Sequence, residues 1–430
     1  MSSTFLFIDA TKTDRSTRRI ARSHAMKGKN LGKKHSYRRK KEIALPSKSR
    51  QLNVAVPTAQ IVQADGSIHG FFPPGSSVSW HKSRKELMMP AHFEPSAPYT
   101  QHAIETSYHC TLALIGTLNH YFFGRHVINS QIMAHLTQAV VLVNQSLDTD
   151  EATCDANIYV VSFMAVHELL NGVKDRALVH MRGLRRMIDL RGGIRDLESN
   201  PELLTKVCKT DLDVTLHFGT SPAFYRDRMT DVSAHMASRG FSGIQSFIDL
   251  ECYSACGDLH PVLQKVLLDV YNVTEFSNLG YRMDSHMLQE TIASFGYRLT
   301  RFCPVGGPLL HSQVDSICHI ALVALTTTLF FQIGRRRLLQ YELIGRHLKD
   351  VVDAGLEGVD PDARLWLLLI GGVSVLPEKE EEWLVRQLQK TVEDGLVQDW
   401  EDAHQRLLRF PWIASLYDTE AQRIWHLAQS

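Results

Sequence analysis

The stretch ALVHMRGLRRMIDLRGGIRDL, from Ala177 to Leu197, predicts the fold class. Its apolar residues recur at steps of three, three and four, at Leu178, Met181, Leu184 and Ile188. This spacing places them on one face of an α-helix. Three arginines fall off that face and can stay in water: Arg182, Arg185 and Arg186. The pair Gly192-Gly193 supplies a permissive end to the predicted helix.

Similar helical spacing continues on both sides of this stretch, from about residue 101 to the end of the chain. Pro201 suits the first position of the next helix, and Gly395 is predicted to end a later one that Pro377 opens. The apolar run from Ile317 to Ile333 contains threonines and a histidine, so it predicts a buried helix, not a membrane span. Arg335–Arg337 is interpreted as its solvated continuation. We therefore predict an all-α, multi-helix bundle over residues 101–430.

The N-terminal segment has a different texture. Residues 1–50 hold fifteen Lys or Arg and three acids, a net charge of +12, whereas the other 380 residues carry a net −11. The segment lacks a hydrophobic period, so we predict a disordered basic arm over residues 1–50. Residues 51–100 are rich in turn formers and proline, which predicts a linker with short elements. A basic segment beside a mildly acidic body suggests contact with a polyanion, or a targeting signal.

The basic arm has several candidate roles. Flexible lysines and arginines can displace counterions from phosphates, which gives DNA affinity without sequence choice. Arg38-Arg39-Lys40-Lys41 fits a nuclear import patch. A mitochondrial presequence and a merely solvated tail stay open, although the charge arrives late for a presequence. The candidate residues for nucleic-acid binding or import are Arg15, Arg18, Arg19, Arg22, Lys27, Lys29, Lys33, Lys34, Arg38, Arg39, Lys40 and Lys41.

Known catalytic and metal-binding motifs do not emerge from the sequence. The chain has no G-x-G-x-x-G, no G-x-S-x-G and no H-E-x-x-H pattern, so we predict no catalytic residues, no cofactor and no enzyme activity. Cys252 and Cys256 form only half of a zinc ligand set. The seven irregularly spaced cysteines fit free thiols in a reducing compartment. Four histidines cluster without a carboxylate or cysteine pattern that completes a metal site: His102, His109, His120 and His126.

Two blocks of the chain resemble the fungal-specific transcription factor regulatory region. The first is HMRGLRRMIDLRGGIRDL followed by TKVCKTDLDVTLHFGTSPAF, with Gly183-Leu184, Met187, Leu190-Arg191-Gly192-Gly193, Asp211 and Pro222-Ala223-Phe224. The second carries Leu365-Trp366, Gly371-Gly372, Trp383, Trp400 and Phe410-Pro411-Trp412. The stretch RSHAMKGKN is also similar to the arm of some members. The resemblance covers about residues 100–430 and implies an all-helical regulatory domain, a nuclear location and control of transcription.

The sequence departs from that family at one point. Many members carry a six-cysteine binuclear zinc cluster near the N-terminus, whereas this chain has no cysteine before Cys110. We therefore expect a nuclear transcriptional regulator of a metabolic or secondary-metabolite pathway without that DNA-binding module. The expected partners are DNA through the arm, an import receptor, and the transcriptional machinery or another DNA-bound regulator, with no membrane. The alternatives are an interaction protein that acts only through a DNA-bound partner, and an enzyme with an unrecognised site in the helical body.

Overall fold

A computed structural model of the protein describes residues 101–123, 130–329, 332–333, 336–337, 341–356 and 358–429. All of them belong to the unit Asp65–Ser430. The α-helices are, in chain order, α1 Gln101–Phe123, α2 Ser130–Ser146, α3 Asp155–Leu170, α4 Lys174–Arg191, α5 Pro201–Phe218, α6 Met229–Ser238, α7 Tyr253–Cys256, α8 Pro261–Asn278, α9 Ser285–Phe302, α10 Gln313–Leu329, α11 Glu342–Asp353, α12 Pro361–Ser374, α13 Glu381–Gly395, α14 Trp400–Leu407 and α15 Ala414–Gln429. Short 3₁₀ helices span Ile194–Ser199, Phe247–Asp249 and Glu378–Glu380.

The predicted all-α body is confirmed for the described residues. They are helical apart from loops and one antiparallel pair of two-residue strands, β1 Gln332–Ile333 and β2 Arg336–Arg337. The interpretation of the arginine run as a continuation of the preceding helix is therefore wrong for Arg336 and Arg337, which form β2, whereas Arg335 lies outside the described residues. The predicted boundaries at residues 50 and 100 stay predictions, because residues 1–100 lie outside the described part.

The N-terminal half of the described body is organised around α3. This helix is buried along most of its length and packs against α1, α4 and α5. Helix α4 presents its apolar face to the core through Met181, Leu184 and Ile188, as the spacing predicts. Its three predicted outward arginines are exposed. The helix periodicity of the opening stretch therefore decides which side of α4 is buried.

The C-terminal half is organised around α10. Every residue from Ser316 to Thr328 is buried, and the helix packs against α8, α9, α11 and α12. Helix α12 in turn packs against α13, α14 and α15. The predicted buried helix within residues 317–333 is thus confirmed as far as Leu329. None of the described helices combines the length and the apolar character that crossing a membrane requires.

Helix ends follow the chemistry predicted for them, with two differences. Helix α13 begins at Glu381, after the 3₁₀ helix Glu378–Glu380, and not at Pro377 as predicted. Gly192 ends α4 in the left-handed region at φ 117°, and Asn200 caps α5 by accepting the N–H of Leu203 at 3.1 Å. Helix α13 ends at Gly395 as predicted. Its left-handed residue is instead the next one, Leu396, at φ 49°.

Candidate functional site

The predicted binding residues of the basic arm all lie outside the described residues. This applies to Arg15, Arg18, Arg19, Arg22, Lys27, Lys29, Lys33, Lys34, Arg38, Arg39, Lys40 and Lys41. Their role as a nucleic-acid or import site stays a prediction. The described body offers three features to examine for function: the residues that carry the family resemblance, a groove between α5 and α9, and clusters of thiols and histidines.

Asp211, from the first resembling block, fastens a turn to the core. Its buried carboxylate accepts the backbone N–H groups of Ala223 at 2.8 Å and Phe224 at 2.9 Å. It also accepts the hydroxyl of Tyr297 on α9 at 3.1 Å. Burial raises the pKa of Asp211 to about 6, although these hydrogen bonds favour the charged form. The aspartate therefore holds the segment after Pro222 against α5 and α9.

The aromatic residues of the second resembling block join α12 to the chain end. The indole N–H of Trp366 donates to the carbonyl of Pro411 at 3.0 Å, and its ring stacks on Phe410 at 5.1 Å between centroids. The indole N–H of Trp412 donates to Asp418 Oδ1 at 2.8 Å. Both tryptophans are almost fully buried. Their N–H groups are therefore satisfied inside the core, as buried indoles require.

The two glycines of that block allow helices to approach α12 closely. An added Cβ at Gly371 would lie 2.6 Å from Leu348, and one at Gly372 would lie 2.6 Å from Leu384 and 2.9 Å from Ile424. Such separations are well below van der Waals contact. Asp211, Trp366, Trp412 and these two glycines, which all carry the resemblance, thus serve packing and do not form an open site.

A groove lies between α5 and α9. It contains about 320 Å³ of empty space, part of which is open solvent. Its lining combines apolar residues with three charged ones, Lys209, Arg226 and Glu290. The lining consists of Leu204, Thr205, Cys208, Lys209, Leu212, Arg226, Gln289, Glu290, Ile292 and Ala293.

Arg226 dominates the electrostatics of this groove. Its guanidinium binds Glu290 in a bidentate pair, with both N···O distances at 2.7 Å, and donates to Glu198 at 2.9 Å. Burial opposes its charge, but the hydrogen bonds to the two glutamates outweigh burial and raise the pKa of Arg226. Lys209 is likewise paired, with Asp213 at 2.5 Å. An anionic ligand would have to displace Glu290 to reach the arginine, so this ion pair is a brace between the segment that precedes α6 and helix α9.

Nothing in the sequence indicates this brace. Arg226 and Glu290 are 64 positions apart and belong to no motif. The same is true of Arg298 on α9, which is almost fully buried and pairs with Asp269 at 2.5 Å. Only a prediction of which helices pack together could have placed these partners. Buried ion pairs of this kind cost desolvation and act mainly to specify one arrangement, as we infer for α9.

Three buried cysteines lie together beside α7. The thiol of Cys252 hydrogen-bonds to Cys256, and the thiol of Cys256 to Cys318. The bond to Cys256, together with burial, raises the pKa of Cys252. The bond from Cys252 lowers the pKa of Cys256, but the bond to Cys318 and burial outweigh it. Buried protonated thiols are weak nucleophiles and poor metal ligands.

The histidine cluster contributes one close pair. Nδ1 of His109 on α1 lies 2.8 Å from Nδ1 of His135 on α2. Burial and the neighbouring His135 lower the pKa of His109. The side chains of His102, His120 and His126 lie outside the described part. Within the described residues, no group of three or more His, Cys, Asp or Glu is placed to hold a metal ion.

Comparisons with protein-family models, with curated proteins and with solved structures found no match to this chain.

Proposed function

We propose that this chain is a nuclear regulator of transcription, acting on a metabolic or secondary-metabolite pathway, and that it lacks a zinc-cluster DNA-binding module. The basic arm acts as import signal and DNA clamp. The helical body acts as the docking and regulatory module. The resemblance to the fungal-specific transcription factor regulatory region supports this proposal, together with the helical fold of the described body.

The segregation of charge carries the proposal. Residues 1–50 have a net charge of +12, and the remaining 380 residues have a net charge of −11. DNA phosphates attract the basic arm and repel the acidic remainder of the chain. DNA contact through the arm therefore leaves the body free for other partners. Asp211, Trp366 and Trp412, which carry part of the resemblance, are occupied in packing, which suits a family signature that preserves a scaffold.

The test compares two variants with the same change in net charge. The arm variant replaces Arg38, Arg39, Lys40 and Lys41 by glutamine. The body variant replaces four exposed basic residues by glutamine: Arg186, Arg195, Lys379 and Lys390. We expect the arm variant to leave the nucleus, and the body variant to stay there, as scored by fluorescence microscopy of tagged chains. Equal nuclear accumulation of the two variants would contradict the import role.

Chromatin occupancy then separates import from DNA contact. An unrelated import signal is fused to the C-terminus of both the intact chain and a chain that lacks residues 1–50. If the arm clamps DNA, the peaks of the intact chain are lost on deletion although the protein is nuclear. Peaks that persist without the arm contradict the clamp.

A second function is favoured by the acidic charge of the body. With a net −11 outside the arm, the body is repelled by DNA and is suited to protein contacts. In this case the protein is recruited by another DNA-bound regulator, and the arm serves only for import. Peaks retained by the arm-deleted nuclear chain, with no binding of the purified chain to any duplex, would establish this function over the first.

A further inference from the structure

We propose that the outward face of the α1–α2 hairpin binds the same face of a second copy of this chain, so that the protein is a homodimer. We call this surface the hairpin face and define it by six residues. They are Tyr108, Leu112, Ile115, Met133, Thr137 and Val141. The inference rests on exposure and charge within the described body and does not depend on the proposed function.

The hairpin is unusual in its lack of charge. Arg125 is the only Lys, Arg, Asp or Glu between Thr106 and Leu147, in a chain in which 22% of residues are charged. Helix α2 contains no Lys, Arg, Asp or Glu at all. An exposed helix of a globular protein normally carries charged residues on its solvent face. The cores of protein interfaces, by contrast, are depleted of charge.

The inner sides of the two helices are occupied. Thr106, Cys110, Ala113 and Thr117 are buried on α1, and its neighbours α2 and α3 pack against it. Nδ1 of His109 meets His135 across the hairpin. Helix α2 packs mainly against α1 and makes a smaller contact with α3. One side of each helix is therefore left facing outward.

The outward sides carry apolar stripes at helical spacing. On α1, Tyr108, Leu112 and Ile115 follow one another at steps of four and three; Tyr108 is 59% exposed, and the other two are partly exposed. Leu112 and Ile115 are not among the partly buried side chains that pack against the core. These three positions lie opposite the buried side of α1. The stripe therefore has no apolar partner within the described core.

On α2, Met133 and Val141 are 41% and 40% exposed. Thr137 lies between them, and its hydroxyl donates to the carbonyl of Met133 at 2.7 Å. Its one polar group is thus already satisfied, which leaves its methyl group available for packing. Contiguous apolar patches are uncommon on soluble monomers, and the largest of them are often interaction sites.

A second copy is the occupant that fits an uncharged face. In a two-fold dimer the same patch meets itself, so every charged residue near the axis approaches its own like charge. A face without charge avoids this repulsion, and it offers nothing for an oppositely charged partner to recognise. Two hairpins packed through these faces form a four-helix arrangement, a common way for helices to bury apolar stripes.

The size of the face predicts the strength of the dimer. A 17-residue helix such as α2 is about 25 Å long. Two helices side by side at the usual spacing then present a footprint of at most roughly 500 Å², and the six residues of the hairpin face, which span about 12 Å along each helix, cover about half of it. This is less than the ~800 Å² per partner of a standard interface. We therefore expect a dimer that dissociates in the micromolar range.

The first experiment is sedimentation velocity of the full chain from about 1 to 100 µM, a range chosen around that expectation. We expect a concentration-dependent shift from monomer to dimer. The variant Met133→Glu/Val141→Glu places like charges against each other in the dimer, and we expect its dissociation constant to rise at least tenfold. A matched control, Leu190→Glu/Leu279→Glu, changes two residues of 59% and 65% exposure on other surfaces and should leave dimerisation unchanged.

A cross-linking variant identifies the face directly and does not add charge. Thr137→Cys puts an accessible thiol near the proposed two-fold axis, and mild oxidation should give a covalent dimer on a non-reducing gel. Leu190→Cys serves as the control and should give none. Circular dichroism and melting curves confirm that each variant is folded. A wild-type chain that stays monomeric at 100 µM overturns the proposal, as does a dimer that neither the glutamates weaken nor Thr137→Cys traps.

Discussion

His319 shows what a single polar residue does inside the central helix. In the sequence it looks like an interruption of an apolar run. In the structure it is 1% exposed on α10, and its Nε2 lies 3.1 Å from the carbonyl of Leu299 on α9. Burial lowers the pKa of His319 to about 4, although this hydrogen bond opposes the shift. The imidazole is therefore neutral at pH 7 and donates one hydrogen bond between two core helices.

This burial predicts a pH dependence of stability. Between about pH 6.5 and 4 the unfolded chain binds a proton at His319 that the folded chain excludes, so the free energy of unfolding falls as the pH falls. A histidine whose pKa is shifted this far changes the free energy of unfolding by about 3 kcal/mol across that pH window. His319→Gln can keep the hydrogen bond and does not titrate. We expect His319→Gln to have a lower free energy of unfolding than the wild type at pH 7. This difference should shrink or reverse at pH 4.5, as measured by urea unfolding.

The control for this prediction is His426→Gln, because His426 is exposed on α15. Its unfolding free energy should follow the wild-type pH profile throughout. Parallel profiles for wild type and His319→Gln would contradict a buried neutral imidazole. Other histidines with lowered pKa values, such as the half-buried His180 with its pKa of about 4, add their own slope and affect both chains equally.

At the scale of helices, the sequence predicts periodicity and ends better than close approaches. Gly192 and Pro201 were readable because a left-handed helix end and a first helical turn have strong residue preferences. The sequence did not show why a glycine stands in the middle of a helix, because the reason depends on which chain segment packs against that position. Gly345 in α11 and Gly183 in α4 are both helical glycines, yet their surroundings differ completely.

These two glycines give opposite predictions for the same substitution. A Cβ at Gly345 would lie 2.9 Å from the carbonyl oxygen of Val375, so alanine there must displace backbone. A Cβ at Gly183 meets nothing within 4 Å. We expect Gly345→Ala to destabilise by about 1–3 kcal/mol through overpacking. Gly183→Ala should stabilise by up to about 1 kcal/mol through helix propensity.

Thermal and urea unfolding of both glycine variants test this contrast in one series. Each variant is compared with the wild type under the same conditions, so the shared gain in helix propensity cancels in the comparison between them. A stabilised Gly345→Ala variant would mean that α11 does not approach Val375 as closely as described.

At the scale of the whole molecule, the sequence predicted an all-helical body because residue spacing reports which helix side is buried. It did not predict that α10 would be central, or that Arg226 in the segment before α6 would pair with Glu290 on α9, because these relations join distant positions. Charge segregation is different, since it is a property of composition and needs no contact map. The sequence alone therefore gives a numerical prediction for the arm, because the number of its Lys and Arg residues is known.

That quantity is the salt dependence of DNA binding. Each phosphate neutralised on duplex DNA contributes about −0.9 to the slope of log K against log salt concentration. If all twelve predicted arm residues bind phosphates, the slope of the full chain approaches about −11. The variant with Arg38, Arg39, Lys40 and Lys41 replaced by glutamine should lose roughly 3 to 4 of this slope. Fluorescence anisotropy with two unrelated duplexes measures it, and both should give the same slopes, since phosphate contacts carry no sequence information.

The body variant defined above tests whether the position of the lost charges matters, or only their number. Replacement of Arg186, Arg195, Lys379 and Lys390 by glutamine lowers the net charge by the same amount as the arm variant, but on the exposed surface of the helical body. If affinity followed net charge alone, both variants would lose equally. If the arm forms the clamp, the body variant keeps the wild-type slope. The reason is that only phosphates in direct contact with a Lys or Arg side chain release their counterions. Equal losses, or a flat salt dependence of the wild type, would assign the arm to import alone and leave recruitment to a DNA-bound partner.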